Sequence, residues 1–162
     1  MFVVGIDGHG ARPLRPRDAA GATCHQLVTH NGITYEAVRH DGVRRHNVLG
    51  RYTLRFDTWR EHPIPDDAYV HTGFDPAGRF VFYESDGREH ALRCVHHLED
   101  PARRRVETLR VLPPIPFGQR HQAHPFLSTD RRRLFFTELV DGFSQVSSME
   151  VGDLVDQETG WR

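Results

Sequence analysis

Lysine is absent from this sequence: all 21 basic residues are arginine, set against 22 acidic ones, for a formal net charge of -1. That balance excludes a global field favouring nucleic acid or anionic lipid, so neither is expected as a partner. The arginine-only usage has two readings: the codon bias of a GC-rich genome, and the suitability of planar guanidinium forks for carboxylate-bearing ligands. Cysteine is nearly absent too. Cys24 and Cys94 are the only pair, which excludes a disulfide framework and leaves two reduced thiols as the expectation. No run approaches the roughly 18 apolar residues of a membrane span, and the opening MFVVGIDGHG carries no basic leader followed by a long apolar core. A cytoplasmic location is therefore expected. No nucleophile elbow, phosphate-binding glycine loop or Cys-x-x-Cys pair occurs, which removes hydrolase, nucleotide and zinc-ribbon readings. Sustained helical stripes are missing as well. The best helix candidate is the tail SSMEVGDLV, and Gly152 weakens even that.

What is present reads as strands and turns. With 162 residues, 38% hydrophobic and 27% charged, the chain suits one globular domain spanning 1–162. The segments ITYEAV, RYTLRF, RFVFYES, HALRCV, ETLRVL and RLFFTE are short and rich in β-branched and aromatic residues, and NG, DG, PAG, SDG and TD separate them.

Twelve histidines are harder to attribute to composition, and three of them mark a repeat. HQLVTHNGITYEA from His25, HTGFDPAGRFVFYES from His71 and HPFLSTDRRRLFFTE from His124 each give a histidine, an apolar segment, a polar turn and an aromatic strand. The turns Asn31-Gly32, Ala77-Gly78 and Asp130-Arg131 fall at the same offset, and the histidines are 46 and 53 residues apart. Such spacings are those of propeller blades, each a four-stranded meander of about 40–50 residues. The expected fold is all-β: a partial β-propeller of about three four-stranded antiparallel blades. Closed rings have at least four blades, so the chain is expected to be the C-terminal part of a longer propeller, or to be completed by a second chain. FVVGI, followed by DGHGARPLR, reads as the last strand of a blade whose beginning is missing.

The inner strands of all blades present one end to the central channel, so histidines at equivalent blade positions converge. On that geometry His71, His124 and Gln119 are positioned to share one metal ion, and imidazole with amide oxygen suits a divalent cation such as manganese. The alternative is that these histidines end turns and hydrogen-bond the neighbouring blade.

In order, separation and turn chemistry, CHQLVTHNG, YVHTGFDPAGRFVFYESDG and GQRHQAHPFLSTDRRRLFFTELVDGFSQV resemble the C-terminal blades of oligogalacturonate lyases, intracellular pectin-degrading propellers. The resemblance covers almost the whole chain. The family pattern is a Thr-His-Glu strand, a histidine in the next blade, and a Gln-x-x-His-Pro-His-Pro segment. By position, it implies a catalytic-cleft role for His25 and metal-holding roles for His71, Gln119 and His124. Gln122 stands where the family has the first histidine of His-Pro-His, with His121 beside it; either is a candidate ligand. The implied activity is metal-dependent β-elimination of short oligogalacturonides. A carboxylate at C6 makes C5–H a poor acid, and charge withdrawal by a bound metal eases its removal. The family's proton-abstracting arginine precedes these blades, and Arg12 in GARPLR is the nearest candidate. A noncatalytic propeller segment of the TolB or WD type, holding a protein or sugar, is the competing function.

Other features have plainer readings. RRH at 44–46 and RRR at 103–105 and 131–133 read as solvated turns, with substrate carboxylates as a second possibility. HH at 96–97 resembles a surface hairpin, and Asp75, Asp86 and Asp130 fall where turn carboxylates cap backbone amides.

Overall fold

Aromatic and β-branched runs broken by Gly, Asp and Pro favour antiparallel hairpins, and these dominate the computed structural model. It describes residues 2–13, 23–29, 32–41, 44–64, 69–75, 80–85, 89–97, 100–114 and 122–154. Well over half of them lie in strands. Contacts divide the chain into two compact units, Met1–Ile64 and Pro65–Arg162.

The first unit contains a short ribbon, β1 (Phe2–Val3) with β2 (Arg12–Pro13), and a four-stranded meander. The meander comprises β3 (Thr23–Thr29), β4 (Gly32–Asp41), β5 (Arg44–Thr53) and β6 (Thr58–Pro63), hydrogen-bonded in sequence order. Tyr35, Ala37, Val48 and Tyr52 form its core, with Ile33 and Trp59 packed against them. Gly50 is required there: a Cβ would sit 2.1 Å from Cζ of Tyr35, inside the ring that covers it.

The second unit holds two meanders. One is β7 (Tyr69–Phe74), β8 (Phe80–Ser85), β9 (Ala91–His96) and β10 (Arg105–Val111); the other is β11 (Phe126–Leu127), β12 (Arg133–Val140) and β13 (Phe143–Glu150). Every residue of β8 is buried, which explains why its sequence reads as a continuous apolar run and not as an alternation. Phe80 and Phe82, on one face of β8, join Cys94 of β9, Leu134 of β12 and Val151 in a shared core. A second cluster unites Leu92 and Leu112 with Ala123 and Phe136. The two sheets are thus held together by apolar packing, and Cys94 is a buried free thiol.

The chain is therefore an all-β partial β-propeller with three blade-like antiparallel sheets. Two have four strands; the last has three among the described residues. Three local expectations are corrected. Ser147–Glu150 of the supposed tail helix are strand, because they pair with β12 from Arg133 to Phe136; only Gly152–Leu154 make a helical turn. RRH at 44–46 opens β5 and is not a turn, while Leu54–Phe56 of RYTLRF form the turn into β6. Among the described residues, no helix is long and apolar enough to cross a membrane.

Candidate functional site

The inner strand of each four-stranded sheet contains a β-bulge, and each bulge contains one of the repeat histidines. In β3 the register with β4 shifts between Cys24 and Leu27, across His25; in β7 it shifts against β8 between Tyr69 and Thr72, across His71. A bulge leaves one residue out of the ladder and re-aims its side chain. His25 and His124 also share left-handed backbone, with φ of 46° and 43°, a conformation that side chains beyond glycine adopt at a cost of roughly 1 kcal/mol or more.

In the second unit, the His71 and His124 rings lie with centroids 3.9 Å apart, tilted by 42°. Two contacts fix His124 from behind. The N–H of Ala123 donates to Oε2 of Glu84 at 2.8 Å, and the carbonyl of Ala123 accepts from the N–H of Thr137 at 2.7 Å. Residue 123 is thereby pinned to β8 of one sheet and β12 of the next. Gly73 allows the approach from the other side: a Cβ there would stand 2.1 Å from the Pro125 carbonyl oxygen. The segment carrying His124 can press onto the strand carrying His71 only because residue 73 has no side chain.

Glu84 is fully buried beneath this pair. It shares a face of β8 with Phe80 and Phe82, as the two-residue period requires. Its Oε1 lies 2.8 Å from Nε2 of His90 and its Oε2 3.6 Å from Nδ1 of His71. Burial pushes its pKa up, but hydrogen bonds from His71, His90 and the Ala123 amide outweigh burial and hold it below the ordinary carboxylate value. Gln122 is half-buried beside Ala123. Gln119 and His121 lie outside the described residues.

The first unit has a parallel arrangement. Nδ1 of His25 pairs with Oε2 of the buried Glu36 at 2.6 Å, so a histidine on the inner strand faces a carboxylate on the second strand, as His71 faces Glu84. Arg12 sits in a polar network with Tyr52 and Asp57. Its guanidinium bonds Asp57 and donates to the Tyr52 hydroxyl at 2.7 Å. The hydrogen bond to Asp57, then that to Tyr52, raises its pKa.

Two imidazoles side by side, an amide close in sequence and a buried carboxylate behind them form a donor set compatible with a divalent cation. Taken alone they are incomplete: among the described residues, no three His, Cys, Asp or Glu side chains are grouped to hold a metal ion. The set therefore fits manganese only with amide or imidazole donors from the segment around 119–122.

Sequence reasoning missed Glu84, His90 and Gly73. A signal for the first existed: Tyr35-Glu36 and Tyr83-Glu84 recur at matching places in ITYEAV and VFYES.

A partial propeller with imidazoles in the bulges of its first strands and just ahead of its last sheet is thus the class that fold and site define. Its fold is similar to that of an oligogalacturonate lyase from Vibrio parahaemolyticus, with a TM-score of 0.73 and 14% identity over 93% of this chain and 41% of that one. A second oligogalacturonate lyase, in complex with manganese, gives 0.73 at 13% identity, covering 95% and 42%. TolB from Acinetobacter baumannii gives 0.67 at 13%, covering 94% and 35%. The chain spans about two fifths of the length of the lyases. No protein-family model matches it, and no curated protein matches it in sequence.

Proposed function

We propose that the chain supplies the metal-holding blades of an oligogalacturonate lyase-like protein, acting on short galacturonate oligosaccharides by β-elimination. The observation that carries this reading is the 3.9 Å approach of His71 and His124 from two successive sheets, in a chain whose fold is similar to that of a lyase in complex with manganese. Under it His71 and His124, with amides from Gln119 and Gln122 or the ring of His121, hold a divalent ion. Such an ion would draw charge from the uronate carboxylate and ease loss of the C5 proton. His25 is assigned a catalytic role, and its pairing with Glu36 holds the ring in one orientation. Arg12 stays the nearest candidate for the base within this chain; further blades, from a longer chain or a second copy, are proposed to complete the cleft.

Calorimetry with manganese at neutral pH tests the reading. Binding is expected, weakened more by His71→Ala or His124→Ala than by His121→Ala. With digalacturonate and manganese, the 162-residue chain is expected to give little absorbance from unsaturated uronate, since a cleft without its walls positions substrate poorly. Robust turnover would show that the chain itself contains the base. The similarity to TolB favours a second reading, a noncatalytic segment that binds a protein or sugar, and absence of manganese binding would select it.

A further inference from the structure

We propose that Glu84 and His90 are a positioning pair, which sets the tautomer of His71 and the seat of the 122–124 segment so that the two imidazoles can take a metal ion together. The inference rests on the metal-holding reading of His71 and His124.

The argument begins at His90. Its Nδ1 lies against the carbonyl oxygen of Pro113, and a carbonyl can only accept, so Nδ1 carries a hydrogen. Its Nε2 lies 2.8 Å from Oε1 of Glu84, an ionised carboxylate that also only accepts. Both ring nitrogens of His90 are therefore engaged by protein oxygens, and it supports the site without being a ligand. Glu84 is committed as well. Oε1 takes His90, while Oε2 takes the Ala123 amide at 2.8 Å and faces Nδ1 of His71 at 3.6 Å.

Two consequences follow for His71 and His124. A carboxylate facing Nδ1 of His71 favours the hydrogen there and places the ring's lone pair on Nε2, the relation by which a carboxylate orients a metal-ligating histidine. The same carboxylate holds the amide of residue 123, and so determines where His124 begins. One buried side chain thus couples ring orientation on β7 to backbone position in the next sheet, and His90 holds that side chain in place.

The test uses the full chain labelled with 15N-histidine. In the metal-free protein, His71 is expected to show a single Nδ1–H tautomer. In Glu84→Gln, His71 should lose that single-tautomer signature, and manganese affinity by calorimetry should fall about 10–100-fold, with partial recovery in Glu84→Asp. Leu134→Val, which lowers stability within the shared core without touching the pair, should leave affinity unchanged. If Glu84→Gln fails to fold, His90→Gln is read for the same two quantities. Wild-type affinity and unchanged His71 signals in the variant would overturn the proposal while leaving the metal-holding reading intact. A wild-type chain that takes up no manganese would instead remove that reading. The metal-free ring signals then decide the pair by themselves: altered in the variant they support it, unaltered they overturn it.

Discussion

Gly73 is the residue on which the distance between the two imidazoles depends, because the atoms its Cβ would meet are backbone and cannot rotate away: the Pro125 carbonyl oxygen at 2.1 Å and carbon at 2.8 Å. Gly73→Ala is expected to cost about 1–3 kcal/mol by overpacking and to push the 122–126 segment off β7. Thermal unfolding with parallel manganese titration checks both effects; unchanged stability with unchanged affinity would refute the account. Glu84→Ala should cost more, about 3–5 kcal/mol, since it leaves a cavity and strips His90 and the buried Ala123 amide of the carboxylate they meet. At this scale the sequence was half legible. His71 and His124 could be chosen because a repeat marks them, and repeats survive in sequence. Glu84 and Gly73 could not, because what gives them meaning is contact with residue 123 and residue 125, some 40 to 50 positions away.

At the level of strands and sheets, legibility followed burial. The aromatic runs that became β4, β8 and β12 were evident because covered strands must be apolar on at least one face. The tail was misread as helical because Ser147, Ser148 and Met149 are only half-buried and Met149 alone of these is apolar, too little to display a two-residue period. Phe143 and Val146 on it are open to solvent, and its register is set by pairing with β12. The interface between the two sheets of the second unit is apolar at its centre and ionic at its margin, where Nη2 of Arg110 donates to both carboxylate oxygens of Glu138, Oε1 at 3.2 Å and Oε2 at 2.8 Å. Leu134→Ala, at the centre, should destabilise by about 3 kcal/mol through cavity formation, whereas Arg110→Ala, at the partly exposed margin, should change stability by under about 1 kcal/mol. Denaturant unfolding of the two variants distinguishes them; equal losses would show that the margin, not the core, holds the sheets together.

For the molecule as a whole, acid is the condition its charges predict it will tolerate least. Hydrogen bonds from Tyr52 and then Arg12 lower the pKa of Asp57, and those from the Ser128 hydroxyl and the Arg132 amide lower that of Asp130. Glu84 is lowered by the bonds that outweigh its burial. Groups held below their ordinary values, 3.8 for Asp and 4.5 for Glu, stabilise the fold fully above those values, and the contribution disappears as pH falls through the lowered ones. The thermal midpoint should therefore be flat with respect to these groups near neutrality and fall below about pH 4.5; replacing Asp130 with Asn should flatten part of that fall. The bond from the Ala123 amide to Glu84 has a further, kinetic consequence, for it joins residues 39 positions apart, while the hairpins on either side close over short loops. Local pairings are reached early in folding and distant ones late. Truncating Glu84 should accordingly accelerate unfolding while leaving the refolding rate nearly unchanged, so that the candidate site would be the last part of its unit to assemble and the first to come apart.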